Sequence, residues 1–192
     1  MPSPVAELLA DLAGALHGLG VSWFLFGAQA AILHGAARLT ADVDVTVRLP
    51  PALSNATLVE ALERHRFQRR IADPLFTEKT RVLPLLHPPT GLPVDVVLAG
   101  PGIEDRFFDR VEVREIASVP VPVASPEDII VMKVLAGRPK DVDDVMAITA
   151  AYGEKLDRRY IETMLATLEQ ALSQSDLLPV WRQVVARSGP GR

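Results

Sequence analysis

The chain has 192 residues, a length typical of one globular domain or of a core with an extension. Hydrophobic residues make up 48% of it and charged residues 23%, which argues against a disordered chain and against a coiled coil. The formal net charge of -4 argues against capture of nucleic acid by the whole surface but leaves a local basic groove open, and the absence of cysteine excludes disulfides, thiolate zinc sites and a cysteine nucleophile.

The segment from Leu12 to Ala37 contains no Asp, Glu, Lys or Arg, so it could be mistaken for a membrane span. Glycines and polar residues interrupt it, however, and it lacks the unbroken apolar run of about 20 residues that a transmembrane helix needs. Glu7 and Asp11 stand where a signal peptide would carry positive charge. We therefore expect a cytoplasmic protein without a membrane partner.

The pattern of apolar residues predicts an α/β fold for the first part of the chain. In order we expect a helix (Pro4–Leu19), a strand (Val21–Phe26), a helix (Ala28–Ala36), a strand (Val43–Leu49), a helix capped by Ser54 that reaches about His65, two hairpin strands (Arg81–His87 and Pro93–Ala99) and a less regular segment (Val111–Ala124). Pro120 and Pro122 predict that at least their part of this segment lies at a sheet edge, because proline cannot donate to the ladder.

From Ser125 onward the pattern is helical throughout. Ser125, followed by Pro126 and Glu127, is typical of a helix start, and this helix is expected to end at about Ala136. Further helices are expected at about Val142–Ala151, Arg158–Ser173 and Leu177–Ala186. We therefore predict an α/β core over residues 1–124, a helical region packed on it over residues 125–187, and a frayed tail over residues 188–192.

Two aspartates open the strand that follows the second predicted helix. Because strand side chains alternate between faces, Asp42 and Asp44 are expected to project the same way, at a spacing that lets both carboxylates hold one divalent cation. A cation between them would offset their repulsion. An isolated pair of this kind is also typical of a turn with two solvated aspartates, and that alternative stays open.

A third acid, Asp95, lies in a hydrophobic strand, where an unpaired charge would be costly to bury. If this strand neighbours the one that carries Asp42 and Asp44, the three carboxylates converge and could bind two metal ions. That arrangement suits phosphoryl or nucleotidyl transfer. The alternative is that Asp95 sits at a strand end and faces water.

In this order the motifs resemble those of the nucleotidyltransferase superfamily, whose core is a polymerase-β-like minimal fold. Members carry a Gly-Ser or similar pair after the first strand, then an Asp-x-Asp pair, then a third acid on a later strand. The corresponding residues here are Gly27 with Ala28, Asp42 with Asp44, and Asp95. The resemblance implies a mixed sheet flanked by helices, with the backbone at Gly27 close to a triphosphate.

Within that superfamily the chain is similar to bacterial abortive-infection (AbiEii) and related toxin-type nucleotidyltransferases, over about residues 21 to 148. One shared string is matched by Gly27, Ala30, His34, Gly35, Arg38, Thr40, Asp42 and Asp44, and a second by Lys133, Ala136, Arg138, Asp141 and Asp144. The cations of the second string could reach phosphate oxygens at a helix end, and its two aspartates share one face of the next helix. A salt-bridged helix corner is the alternative.

The resemblance implies a Mg²⁺- or Mn²⁺-dependent enzyme that moves a nucleoside monophosphate from an NTP to an acceptor hydroxyl on RNA such as tRNA, on a protein or on a small molecule. It implies that the catalytic and metal-binding residues are Asp42, Asp44 and Asp95. It implies nucleotide contacts for Gly27, Ala28, Arg38, Thr40, Lys133, Arg138 and Asp141. Toxin-type relatives also imply an antitoxin partner, and the helical region is expected to close over the nucleotide.

Ala28 is a departure from the superfamily pattern, since it lacks the hydroxyl that a serine would offer to the terminal phosphate. It favours the alternative function, a catalytically inactive module of the same fold that binds a nucleotide or a partner.

Other residues also have two interpretations. We expect His34 to be a buried, hydrogen-bonded histidine rather than a metal ligand. Arg38 could anchor the loop that carries the Asp-x-Asp pair or could contact phosphate. A basic cluster could guide a nucleic-acid acceptor, or could be a solvated helix end. It comprises Arg64, Arg66, Arg69 and Arg70 with Phe67.

Overall fold

The computed structural model describes residues 3–188, so residues 189–192 of the predicted tail lie outside the described residues. The chain divides into two compact units, of which the first comprises Met1–Gln29 with Thr40–Ala124 and the second comprises Ala30–Leu39 with Ser125–Arg192. The predicted boundary at residue 125 stays a prediction, since packing within one structure does not test whether either part folds alone.

Nine helices and seven strands make up the described part of the chain. They are α1 (Pro4–Gly18), β1 (Ser22–Phe26), α2 (Gly27–Leu33), β2 (Val43–Arg48), α3 (Asn55–Arg64), β3 (Gln68–Arg69), α4 (Pro74–Thr80), β4 (Val82–His87), β5 (Leu92–Leu98), α5 (Ile103–Phe108), β6 (Glu112–Ile116), β7 (Val119–Val123), α6 (Pro126–Ala136), α7 (Pro139–Tyr152), α8 (Arg158–Leu172) and α9 (Leu177–Arg187), with a 3-10 turn at Gly153–Lys155.

The first unit is built on a seven-stranded mixed sheet of order β3-β4-β5-β2-β1-β7-β6. β2 runs parallel to β5 and antiparallel to β1, and β1 runs parallel to β7. The remaining neighbours, β3 with β4, β4 with β5 and β6 with β7, are antiparallel. Helices flank the sheet, so the predicted α/β class with a nucleotidyltransferase-like mixed sheet is confirmed.

One face of the sheet is apolar because alternate residues of the central strands are valines. Val43, Val45 and Val47 of β2 and Val94 and Val96 of β5 are completely buried. α1 packs against β1, β5 and β7 and supplies a row of buried leucines. The polar residues between the valines consequently point to the opposite face.

The ends of several elements confirm the local signals in the sequence. The Ser54 side chain accepts a hydrogen bond from the Thr57 N–H at the start of α3, and Ser125 caps α6 in the same way. β4 and β5 form the predicted hairpin. The short elements β3, α4 and α5 were not predicted, because a strand of two residues shows no alternation and helices of six or seven residues span less than two turns.

The segment that carries the prolines lies at one edge of the sheet, as predicted, because β7 and β6 form the last hairpin in the strand order. β7 carries Pro120 and Pro122 but lies between β1 and β6, and β6 is the edge strand. The prolines are tolerated because β7 meets β1 after them. Val123 is the register partner of Leu25, and the N–H of Ala124 donates to the Leu25 carbonyl. The ladder hydrogen bonds to β1 are therefore formed beyond both prolines.

The second unit consists of α6, α7, α8 and α9 together with the segment Ala30–Leu39. α6 is buried on most sides, whereas α8 and α9 are amphipathic and bury Ile161, Met164, Leu165 and Trp181. None of the described helices is both long enough and apolar enough to cross a membrane.

Candidate active site

A row of side chains crosses the polar face of the sheet in the first unit. Asp44 of β2 is the register partner of Asp95 on β5, and on its other side it is the partner of Phe26 on β1. Asp95 in turn pairs with Pro84 on β4, whose carbonyl accepts the backbone N–H of Arg70. Residues that face each other in neighbouring strands point to the same side of the sheet. Phe26, Asp44, Asp95 and Pro84 therefore form one row, which we call the acid row after its two carboxylates.

Gly27 lies against Asp44, directly after the end of β1. A Cβ built on Gly27 would lie 2.0 Å from Oδ2 of Asp44 and 2.8 Å from its Cγ. The backbone of Gly27 also has φ +67°, in the left-handed region that side chains disfavour. Glycine is therefore required here for two independent reasons, and one of them is the position of the Asp44 carboxylate.

Asp42 lies outside the strand, because β2 begins at Val43. Its side chain is exposed, and its backbone N–H donates to Oγ1 of Thr40 at 3.2 Å. Gln29 donates from Nε2 to the Thr40 carbonyl at 3.3 Å. Thr40 thus accepts two hydrogen bonds, one with its side chain and one with its carbonyl, in the segment that leads into β2. Ala28, the second residue of α2, is buried.

The Asp95 carboxylate forms an ion pair with the Arg70 guanidinium, and about 40% of each side chain is exposed. The sequence does not indicate this pair, because the chain segments that carry Arg70 and Asp95 are brought together only by tertiary packing. No group of three or more His, Asp or Glu residues is placed to hold a metal ion within residues 3–188. The structure therefore brings Asp44 and Asp95 together and leaves Asp42 outside the row.

This donor set still fits a divalent cation of the magnesium type. Mg²⁺ binds carboxylate oxygens, and in phosphoryl-transfer sites one or two protein carboxylates suffice because substrate phosphates and waters complete the shell. Asp44 and Asp95 supply two such carboxylates on adjacent strands. Asp42, two residues before Asp44, is the third candidate ligand.

In the second unit the residues of the second string form a buried charge network. Nζ of Lys133 lies 3.0 Å from Oδ1 of Asp141 and 2.7 Å from Oδ2 of Asp144. The exposed fractions of Lys133, Asp141 and Asp144 are only 5%, 0% and 4%. The ammonium of Lys133 is thus held between two carboxylates.

Two arginines complete this network. Arg138 contacts Asp141 with Nε and with a second guanidinium nitrogen, and Arg38 donates to Oδ2 of Asp144 at 2.7 Å. Burial alone would raise the pKa of Asp141, but the hydrogen bonds and charges of Arg138 and Lys133 outweigh it and lower that pKa below its ordinary value of 3.8. Arg38 therefore has an internal carboxylate partner on α7, and Arg138 keeps the most exposed side chain of the set.

Comparison with known proteins decides the family. The model of the family described as "Nucleotidyltransferase of unknown function (DUF6036)" matches residues 7–188. The chain belongs to this family. Comparison with curated proteins finds no match.

Solved structures share the fold of this member of the nucleotidyltransferase family at low sequence identity. The antibiotic-resistance factor ANT(2'')-Ia in solution is 14% identical, with 90% of this chain and 95% of that chain covered and a TM-score of 0.62. An antigenic nucleotidyltransferase-like protein from Paracoccidioides brasiliensis is 18% identical, with 93% and 92% covered and a TM-score of 0.54. The lincosamide antibiotic adenylyltransferase LnuA is 14% identical, with 76% and 96% covered and a TM-score of 0.52.

These comparisons confirm the superfamily that the sequence motifs indicate. The finer resemblance to AbiEii-type enzymes stays a prediction. The roles of individual residues also stay predictions, because the likeness to the solved structures is one of fold.

The histidine of the first string is buried in this nucleotidyltransferase family member, as expected. His34 is 1% exposed, and its Nδ1 lies 2.7 Å from the Tyr152 hydroxyl. The two rings also meet edge to face, with centroids 5.7 Å apart. Gly35 follows, where a Cβ would lie 2.9 Å from Cβ of Ala151. These residues are therefore packing positions that join the segment Ala30–Leu39 to α7 within the second unit.

Most of the basic cluster is neutralised within the first unit. Arg66 lies 2.6 Å from Asp11 and 3.2 Å from Glu7, and Arg69 lies 3.2 Å from Glu63. The fourth acid is Asp95, the partner of Arg70. These arginines thus have internal carboxylate partners, which weakens the interpretation of the cluster as a surface for nucleic acid.

Proposed function

We propose that this chain is a metal-dependent nucleotidyltransferase, which moves a nucleoside monophosphate from an NTP to an acceptor hydroxyl and releases pyrophosphate. The observation that carries the proposal is the acid row, in which Asp44 and Asp95 are register partners on adjacent parallel strands and Gly27 touches Asp44. Two carboxylates placed side by side repel each other, and a divalent cation relieves that repulsion.

In this proposal the chain's own residues bind and orient the reactants. Asp42, Asp44 and Asp95 hold Mg²⁺ or Mn²⁺, which would neutralise phosphate charge. The acceptor oxygen bonds to the α-phosphorus, the bond from that phosphorus to pyrophosphate breaks, and Asp95 takes the proton of the acceptor hydroxyl. The missing side chain at Gly27 leaves the space that the Asp44 carboxylate occupies, so glycine at this position serves the proposed metal ligand.

The second string has a different part in the proposal. Arg138 is the member that we favour for phosphate contact, because more than half of its side chain is exposed. Lys133 is surrounded by Asp141 and Asp144, so its contribution is to hold the network and, through Asp144, Arg38. Contacts of Arg38, Thr40, Lys133 and Asp141 with nucleotide stay predictions of the family resemblance.

A small organic molecule is the acceptor that we favour. The solved structures with this fold include ANT(2'')-Ia in complex with adenylyl-2''-tobramycin and LnuA with lincomycin bound. The first is described as an antibiotic-resistance factor and the second as a lincosamide antibiotic adenylyltransferase. The internally paired arginines argue against a nucleic-acid acceptor. Transfer to tRNA or to a protein side chain, with an antitoxin as partner, is the alternative that the AbiEii resemblance raises.

The test is label transfer from each α-³²P-labelled NTP in the presence of Mg²⁺ or Mn²⁺. Separate reactions contain a panel of hydroxyl-bearing small molecules that includes tobramycin and lincomycin, total RNA, or a protein lysate. We expect label in a small-molecule fraction and its loss in the double variant Asp42→Asn with Asp44→Asn. Asp143→Asn, an exposed carboxylate of α7, is the matched control and should keep the activity.

Undiminished transfer by the double variant would refute the assignment, and label in RNA or protein would redirect it to the toxin-type alternative. A catalytically inactive module, as Ala28 suggests, would bind an NTP without transferring label. Thermal shift separates these outcomes, because a ligand at 100 times its dissociation constant stabilises the fold by about 2.7 kcal/mol.

A further inference from the structure

The first unit contains a cavity that lies away from the acid row. α3, α4, β4 and β5 border it, and its volume is about 370 Å³. Leu98 of β5 lines it and lies three residues after Asp95, while Leu83 of β4 lines it and pairs with Val96. Because strand side chains alternate, both leucines lie on the face opposite Asp95. The cavity is therefore a separate feature of the apolar face of the sheet.

The cavity has the size and the floor of a small-molecule site. Ligand cavities in proteins typically measure about 300–1,000 Å³ and are lined mainly by apolar side chains. Leu58 and Leu83 are almost fully buried in the floor, and Val59 and Leu98 are partly buried there. An organic group placed on this floor would remove apolar surface from water.

The rim of the cavity is acidic. Its charged residues within the described chain are Glu60, Glu63, Arg69, Asp73 and Glu78, so the lining carries a formal charge of -3. Glu63 pairs with Arg69 at 3.2 Å, and Asp73 accepts a backbone N–H as the N-cap of α4. The side chains of Glu60 and Glu78 form no ion pair or hydrogen bond with any residue that the structure describes. The rim thus offers two carboxylates that the fold itself does not use.

We propose that this cavity binds a small organic cation, with an apolar body on the Leu58 and Leu83 floor and a protonated amine between Glu60 and Glu78. A metal ion is a poorer occupant, because the floor offers no oxygen ligands and no three acidic or histidine side chains of residues 3–188 are placed to share one. The inference does not depend on nucleotidyl transfer, since the cavity and the acid row lie on opposite faces of the sheet.

Three probes separate the two parts of the proposal. The first, 4-phenylbutylamine, has an apolar body and an amine. 4-Phenylbutan-1-ol keeps the body without the charge, and n-butylamine keeps the charge without the ring. Titration of the ¹⁵N-labelled full chain followed by NMR should show saturable shifts for 4-phenylbutylamine at amides of α3, α4 and β4, with a dissociation constant on the order of 1 mM for a ligand of this size.

The alcohol and n-butylamine should each bind at least about tenfold more weakly. The double variant Glu60→Gln with Glu78→Gln should lower the affinity for 4-phenylbutylamine about tenfold and leave the weak binding of the alcohol unchanged. Glu162→Gln, an exposed carboxylate of α8, is the charge control and should change neither. Ala56→Trp places a large side chain at the exposed mouth of the cavity and should abolish the shifts without disturbing the core.

Several results would overturn the proposal. Equal affinities for the amine and the alcohol would show that the carboxylates do not contribute to binding. The absence of saturable shifts with the amine up to about ten times the expected dissociation constant would remove the site. Unchanged shifts in the Ala56→Trp variant would place the binding elsewhere.

Discussion

The close approach of Gly27 to Asp44 leads to a prediction about the stability of the fold. Gly27→Ala puts a Cβ at φ +67° and 2.0 Å from Oδ2 of Asp44. The left-handed conformation costs about 1–2 kcal/mol for a residue with a side chain. The carboxylate must also leave its rotamer, which costs about 0.5–1.5 kcal/mol more. We therefore expect the free energy of unfolding to fall by roughly 1.5–3.5 kcal/mol.

Gly20 supplies a matched control. It has φ +63°, and a Cβ built on it meets no atom within 4 Å. Gly20→Ala therefore pays the same backbone cost and gains the same reduction of unfolded-state entropy, but moves no carboxylate. The difference between the two variants isolates the overlap with Asp44, at about 1 kcal/mol or about 2–4 °C in melting temperature for a chain of this size.

The assay is thermal and urea unfolding of both variants, each made also in the Asp44→Ala background. Removal of the Asp44 carboxylate takes away the two shortest contacts and leaves the Asp44 Cβ at 2.9 Å, so the extra cost of Gly27→Ala over Gly20→Ala should shrink without vanishing. Mn²⁺ binding, measured by electron paramagnetic resonance, should weaken with Gly27→Ala and not with Gly20→Ala if Asp44 is a metal ligand. Equal stability losses for both glycines in both backgrounds would refute the reasoning from the Asp44 contact.

Three further predictions concern the second unit, and the melting temperature of each variant checks them. Lys133→Met leaves two buried carboxylates without their ammonium and should cost about 3–5 kcal/mol, whereas the exposed Lys140→Met should stay within about 0.5 kcal/mol; equal effects would contradict the buried network. The folded-state pKa of Asp141 lies below 3.8, so the stability that its carboxylate contributes is complete above pH 3.8 and is lost as the pH falls through the folded-state pKa. The loss of stability caused by Asp141→Asn should therefore be largest near pH 7 and shrink in acid. A loss that grows in acid would oppose the lowered pKa. Tyr152→Phe removes the hydrogen bond to His34 and should cost about 1 kcal/mol, and an unchanged melting temperature would show that this bond contributes nothing.

Local signals in the sequence were sufficient to predict most of the fold. Ser54 and Ser125 are followed by residues that continue a helix, and a serine side chain can satisfy the free N–H groups there, so both helix starts could be placed to the residue. The position of β7 could not be predicted, because a proline excludes a hydrogen bond on one side of a strand and does not say which side or over what length. Its neighbours β1 and β6 are set by the whole sheet.

The candidate site was predictable in its residue types and not in its pairings. Asp44 and Asp95 are separated by fifty positions, and their adjacency needs the parallel register of β2 and β5, which follows from tertiary packing. The same holds for Arg70, whose sequence neighbours predict only a basic cluster. For the second string both alternatives were physically reasonable, and the burial of Lys133 between Asp141 and Asp144 supports the salt-bridged corner as its structural role.

The ion pair between Arg70 and Asp95 is compatible with a metal site at the acid row. An exposed pair of this kind contributes about 0–1 kcal/mol, because water screens both charges and two side chains lose rotational freedom. A divalent cation carries twice the charge of a guanidinium, and Asp44 and Asp95, as register partners, are the residues that would hold it. Displacement of Arg70 would therefore cost little, and in the proposed reaction its guanidinium would be available to pair with phosphate charge.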